Sequence, residues 1–370
     1  MAEQIWVAVD AMGGDLAPDA QVHGAIDAVR KSFASVILCG DHDTIESRIK
    51  ALGAQALLGQ GLRIQHASET VAMDEKPALA ARKKKDSSIR VALDLVKNGE
   101  AQAMVSAGNS GAVMATSLVA LGRVRGIQRP AILSSTPNLK RRTALLDVGA
   151  NIDVSADVLA QWAYMGEAYA RLVEGCAEPR VAVLSNGEED AKGTALTRGA
   201  NAILKQAKGI HYVGYAEGRD VSGSGDFDVI VTDGFTGNVV LKTMEGTGKY
   251  VSQFLRSEFE QSVMRKLGYL LSRAVFAKLR AQSDYRHYGG APLLGVKGVV
   301  IIAHGGSDEL AMATAVRQAR HQVEVGLLKA IMSSVAEHPE IFSKGRGTKT
   351  EPTASDDQHD RASGTAADAR

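Results

Sequence analysis

The sequence predicts an α/β fold, a three-layer sandwich around a mostly parallel sheet. Three observations carry that expectation. Short apolar runs alternate with longer helical patterns. Several of those runs are continuously hydrophobic, as strands covered on both faces must be. Six of them stop at small, polar, glycine-rich turns, the punctuation of a strand-to-helix connection.

Strands are expected at 5–9, 35–38, 103–105, 144–146, 181–184, 229–231 and 299–302, and helices at 18–31, 89–97, 157–172 and 309–326. A TIM barrel would show the same alternation, but the uneven spacing and a long helical insert favour an open sheet. One catalytic unit is expected over 1–343, with a helical protrusion at about 250–288. Residues 344–370 contain no Val, Ile, Leu, Met or aromatic residue. Such a segment buries too little surface to offset its ordering entropy, so it is expected to be a disordered tail without a functional part.

Charge excludes some functions. With 43 Lys plus Arg against 42 Asp plus Glu, the net charge is +1, which gives no reason to expect a nucleic-acid partner. Cys39 and Cys176 show neither metal-ligand nor disulfide spacing, as suits a reducing compartment. The N-terminus enters a strand-like run without a leader pattern, and no apolar run reaches membrane-spanning length. The expected location is the cytoplasm, with at most peripheral contact with a membrane.

The six turns are "DAMGGD" (10–15), "SAGNSGA" (106–112), "DVGAN" (147–151), "SNGEEDAKG" (185–193), "DGFTGN" (233–238) and "AHGGSDE" (303–309). Glycine lets the backbone approach a ligand, and the helix that follows offers free N–H groups to an anion. Tight turns of this composition form for purely structural reasons too. Six of them on one sheet edge would make a shared anion-binding crevice. The candidate ligands there are Gly13, Gly14, Asp15, Gly108, Asn109, Ser110, Asp147, Asn151, Asp233, Gly234, Thr236 and Gly237. Lys84 and Lys85 in "ARKKKDSSIR" read either as anion ligands or as a solvated basic run before a helix capped by Asp86 or Ser87. Lys192, between a strand end and the next helix, reads either as an ammonium reaching into the crevice or as a surface lysine. Asn238 serves equally as a helix cap or an amide donor to substrate. His304 is read as a turn histidine in preference to an acid or base.

Nucleotide and hydrolase fingerprints are missing. "GTGK" at 246–249 lacks the P-loop spacing, and neither GxGxxG in the first βα unit, GxSxG nor HExxH occurs. A small phosphate group explains the turns more economically than a nucleotide. Residues 261–280 carry five basic residues and no acid. Met264, Leu267, Leu271 and Val275 share one helical face, and Lys266, Arg273 and Arg280 recur on the other, with Lys278 near the apolar edge. Two readings stay open from the pattern: a helix lying in an anionic headgroup layer, or one packed on the protein or a second copy.

Taken together, "VAVDAMGGD", "KKDSSI", "VSAGNSGA", "LLDVGAN", "DGFTGNVVLKTMEG" and "YGGAPLLGVKG" resemble the bacterial phosphate acyltransferases of phospholipid synthesis, from about residue 5 to about residue 326. The resemblance implies transfer of a fatty acyl group from acyl-acyl carrier protein to inorganic phosphate, giving acyl phosphate, without metal, nucleotide or other cofactor. It implies a fold similar to isocitrate and isopropylmalate dehydrogenases and phosphotransacetylase, and a homodimer. It also implies membrane contact through the protrusion at 250–288, at the inner face of the cell membrane, and handover to the membrane glycerol-3-phosphate acyltransferase. Lys192 and Asn238 fall at the family's essential polar positions. On this reading phosphate is its own nucleophile, held near the thioester carbonyl, while Lys192 and Asn238 steady the oxyanion. Competing readings are a phosphotransacetylase-like enzyme using short acyl-CoA, a dehydrogenase on the same fold, and a non-enzymatic lipid-surface scaffold.

Overall fold

The computed structural model describes residues 4–223, 225–277, 286 and 288–342 of the chain. The tail at 344–370, Lys278 and Arg280 of the expected amphipathic face, and part of the expected protrusion lie outside the described residues.

Eleven strands form one sheet: β1 (Trp6–Asp10), β2 (Ser35–Gly40), β3 (Leu62–His66), β4 (Ala103–Ser106), β5 (Ala131–Pro137), β6 (Arg142–Leu146), β7 (Arg180–Leu184), β8 (His211–Ala216), β9 (Val229–Val231), β10 (Ala291–Leu294) and β11 (Val299–Ile302). Their order is β3-β2-β1-β4-β11-β10-β5-β6-β9-β7-β8. The helices are α1 (Asp19–Arg30), α2 (His42–Ala51), α3 (Pro77–Lys83), α4 (Ser88–Asn98), α5 (Ser110–Ala120), α6 (Ala156–Leu172), α7 (Ala195–Leu204), α8 (Gly234–Glu260), α9 (Val263–Leu271), α10 (Glu309–Glu324), α11 (Leu327–Glu337) and α12 (Pro339–Phe342). An open sheet of this kind excludes the barrel.

Side chains alternate across the sheet, as period-two strands require. Val7, Val9, Val105 and Ile301 pack with residues of α1 and α10 on one face. Further along that face Leu146, Val181, Val183 and Val229 meet Trp162, Ala163 and Tyr169 of α6. The intervening residues Ala8, Met104, Leu145, Ala182, Ile230 and Val300 share a single core on the opposite face with α4 and α5. Each such large aliphatic side chain, fully buried, contributes roughly 1.5–3 kcal/mol.

Strand direction is what positions the site. β3, β2, β1, β4 and β11 are mutually parallel. β10 is antiparallel to both β11 and β5, and β5 is antiparallel to β6. β6, β9, β7 and β8 are parallel again. Three successive reversals therefore leave the second parallel block running opposite to the first. The expected single edge of six glycine turns is corrected by this topology. The turns at 10–15, 106–112 and 303–309 lie at one edge, and those at 147–151, 185–193 and 233–238 lie at the other. A five-residue strand separates the edges by about 17 Å.

Helix ends follow their capping chemistry. Ser87, not Asp86, caps α4, and Gly99 closes it in the left-handed conformation at φ 80°. Asp233 caps α8 through the Thr236 amide, so Asn238 is a residue of the first turns and not the cap. α8 leaves the body: beyond its first turns it has no buried residue, and 27 residues give it a length of about 40 Å. It folds back as α9, followed by a helical turn over 273–277. Phe259, Tyr269 and Phe276 hold the hairpin together, with ring centroids 5.2–5.4 Å apart.

Candidate functional site

The second block's edge gathers three turns side by side, because β9 lies between β6 and β7. Asp147 directly follows β6 and is fully buried. Its Oδ1 accepts from the Ile132 amide at 2.9 Å and the Ala150 amide at 3.2 Å. Its Oδ2 accepts from the Asn151 amide at 2.7 Å and from Asn151 Nδ2 at 3.1 Å. Burial pushes this carboxyl above its ordinary pKa, and these hydrogen bonds oppose the shift. With both oxygens engaged, Asp147 braces the turn.

Asn151 is committed in the same way. Its Nδ2 donates to the Pro130 carbonyl at 2.7 Å, and its own carbonyl accepts from the Gly234 amide at 2.7 Å. Asp233 accepts from the Thr236 amide at 2.8 Å and from Thr236 Oγ1 at 2.7 Å. Gly234 and Gly237 are required by close packing: a β-carbon at Gly234 would lie 2.7 Å from Asp147 Oδ2 and 2.6 Å from the Asn151 carbonyl oxygen. These residues build the bend and start α8.

Asn238 and Lys192 are exposed polar side chains at this edge. Asn238 is exposed next to the open Gly149 turn and makes no side-chain hydrogen bond with a described residue. Lys192 is exposed, crosses the face of Gly187, and has no ion pair among the described residues. They stand on turns that follow the neighbouring strands β9 and β7. The positive end of α8 is already met by the Asp233 carboxylate that caps it. Ser185, which follows β7 directly, has a buried hydroxyl without a partner among the described residues, 3.0 Å from where a β-carbon of Gly193 would sit. Sequence reading passed over Ser185, since one serine at a strand end carries no pattern.

The first block's edge is more tightly closed. Asp10, also passed over in the sequence, is fully buried. It accepts from Ser106 Oγ at 2.6 Å and the Met12 amide at 3.2 Å. Gly13 and Gly108 touch: a β-carbon at Gly13 would lie 2.9 Å from Gly108 Cα. Gly14 has φ 108°, and the Asp15 amide donates to the Gly305 carbonyl at 2.8 Å. Asn109 caps α5 by accepting from the Ala112 amide at 3.0 Å, while its Nδ2 donates to the Met73 and Glu75 carbonyls. Its amide is therefore spent within the protein. Lys84 is paired with Glu75 at 2.5 Å, which leaves its ammonium occupied, whereas Lys85 and Ser110 are exposed. His304 Nδ1 accepts from the Gly306 amide at 3.1 Å, consistent with a turn histidine.

On the hairpin, Met264, Leu267, Leu271 and Val275 are all exposed, Met264 by 77% and Leu271 by 81%. Lys266 and Arg273 are exposed as well. No described helix is long and apolar enough to cross a membrane.

Comparison with known proteins follows the same lines. Residues 5–330 match the family model described as fatty acid synthesis protein. A phosphate acyltransferase from Syntrophotalea carbinolica is 47% identical, covering 92% of this chain and 97% of its own. One from Geobacter sulfurreducens is 50% identical, covering 87% and 91% respectively. Among solved structures, a phosphotransacetylase from Streptococcus pyogenes aligns with a TM-score of 0.57 at 17% identity, over 88% of this chain and 95% of the other. A putative 4-hydroxythreonine-4-phosphate dehydrogenase from Salmonella typhimurium aligns with a TM-score of 0.51 at 16% identity, over 86% and 99%. At these identities the two structures share the fold alone.

Proposed function

The chain belongs to the phosphate acyltransferase family and is an acyltransferase, and from that premise we propose that it moves a fatty acyl group from acyl-acyl carrier protein to inorganic phosphate at the edge carrying Lys192 and Asn238. The observation that carries this placement is their freedom. Asp147, Asp233 and Asn151 are used to hold the turns, while the side chains of Lys192 and Asn238 are exposed and make no hydrogen bond or ion pair with a described residue.

The chemistry needs little else. A phosphate oxygen attacks the thioester carbonyl; the C–O bond to phosphate forms, the C–S bond breaks, and the carrier leaves as thiolate, which takes a proton from water. Phosphate near neutral pH is already nucleophilic, so no strong base is required. Lys192 holds the anion at attack distance. Asn238 donates to the oxyanion that develops on the carbonyl.

The same helix that opens this site runs out into the hairpin with exposed Met264, Leu267, Leu271 and Val275. An apolar face flanked by Lys266 and Arg273 suits an anionic headgroup layer. On this reading the enzyme works as a homodimer at the inner face of the cell membrane and passes acyl phosphate to a membrane glycerol-3-phosphate acyltransferase.

The test is phosphate-dependent thiol release from palmitoyl-acyl carrier protein, followed by trapping of acyl phosphate with hydroxylamine. Lys192→Ala and Asn238→Ala are each expected to lower kcat by about 10²–10³. Wild-type turnover in both would remove this edge from the mechanism. A preference for acetyl-CoA over the carrier thioester would favour the short-chain phosphotransacetylase-like alternative.

A further inference from the structure

We propose that the loop at 122–130 is the docking surface for an acidic carrier protein, an inference that rests on the carrier-borne donor just described. The loop joins α5 to β5 at the same edge as Lys192 and Asn238. Its sequence, "GRVRGIQRP", holds three arginines and no acid. Arg123, Arg125 and Arg129 are all exposed, and none forms an ion pair with a described residue. Exposed Lys297 adjoins them, its amide donating to the Gly122 carbonyl at 3.0 Å.

The backbone beneath these cations is fixed. The Val124 amide donates to Gly295 at 2.9 Å. Gln161 accepts from the Gln128 amide at 2.9 Å and donates to the Gly126 carbonyl at 3.2 Å. Trp162 Nε1 donates to the Arg129 carbonyl at 2.9 Å. Val124 and Ile127 are buried, and Gly126, at φ 101°, lies so close to Val335 that a β-carbon would come within 2.7 Å. Charges presented by an ordered loop lose little backbone entropy when a partner arrives. The loop also touches the site: Pro130 accepts from Asn151, whose carbonyl in turn holds the first amide of α8. A carrier seated on Arg125 and Arg129 would hold its thioester arm beside that turn. Another run of exposed cations, Arg82, Lys83 and Lys85, without an ion pair among the described residues, stands at the opposite edge.

An acidic protein is favoured over lipid because the loop has no exposed large apolar residue, whereas the hairpin combines cations with such a face. The experiment compares palmitoyl-acyl carrier protein with palmitoyl-pantetheine as donors for the full chain and for a triple variant, Arg123→Gln with Arg125→Gln and Arg129→Gln, over a range of salt. The expected result is a roughly tenfold fall in the carrier-over-pantetheine preference in kcat/KM, with most of its salt dependence lost. An unchanged preference in a variant that melts like the wild type overturns the docking surface. So does a variant that keeps the preference but no longer sediments with phosphatidylglycerol vesicles, which would make the loop lipid-facing. Failure of the wild type to use either donor would instead defeat the acyl-transfer reading on which the inference rests.

Discussion

Gly237 lies so close beneath Asp147 that a β-carbon on it would sit 1.9 Å from the Asp147 carbonyl oxygen. The obstacle is backbone, so it cannot rotate away. Gly237→Ala is expected to cost about 1–3 kcal/mol by forcing α8 off the turn at 147–151, and to depress acyl transfer with it. Gly246, in the same helix, has nothing within 4 Å of such an atom, and Gly246→Ala should stabilise by roughly 0.5–1 kcal/mol where the helix is well formed. Urea denaturation of both variants checks the contrast; equal effects would mean that the close approach is not felt.

Much of this was legible in the sequence, and the exceptions have physical causes. All seven expected strands and all four expected helices are present within about two residues. The strands passed over were β3, β5, β8 and β10. In β3 only Leu62 is buried, and β8 exposes His211 and Val213, because both are edge strands with a wet face. β5 turns polar at Ser134 and ends at Pro137, and β10 has only four residues. Since β5 and β10 are the strands that reverse the sheet, missing them hid the split of the six turns between two edges. Local glycine patterns report a turn; they do not report which way a distant block of sheet runs.

Asp10 gives a pH dependence with a definite sign. Burial raises its carboxyl above the ordinary value of 3.8, against hydrogen bonds from Ser106, Ser88 and the Met12 and Gly13 backbone. Between the unfolded and folded pKa values the folded chain holds the extra proton, so this group's contribution to stability falls as pH rises through that window. Urea unfolding of wild type and Asp10→Asn from about pH 4 upward should show the wild type losing ground to the variant, then levelling once the folded pKa is passed. A difference that grows in favour of the wild type would mean that the hydrogen bonds outweigh desolvation.

Asn151 is a positioning residue for the proposed site. Removing its amide leaves the buried Pro130 carbonyl without its donor and takes one hydrogen bond from Asp147. Asn151→Ala is expected to cost roughly 1–3 kcal/mol, and to lower kcat while leaving the pH profile of the residual activity unchanged, because it carries no proton. Asn151→Asp should be worse, since it places a second carboxylate against Asp147. A wild-type kcat in the alanine variant would show that the turn keeps its shape without this link.

The hairpin separates an inward aromatic set from an outward aliphatic one, and the two should respond differently to substitution. Phe259, Tyr269 and Phe276 contact one another, so Phe259→Ala removes packing between α8 and α9 and should loosen the hairpin itself, seen as faster amide exchange over 256–271. Met264 and Leu271 are more than three-quarters exposed, so Met264→Glu with Leu271→Glu should leave melting within about 0.5 kcal/mol of wild type. In the same variant, sedimentation with phosphatidylglycerol vesicles should be lost, because two carboxylates now face an anionic, apolar layer. Retained sedimentation would assign that face to a second copy of the chain instead, and analytical ultracentrifugation of the variant would then show a weakened dimer.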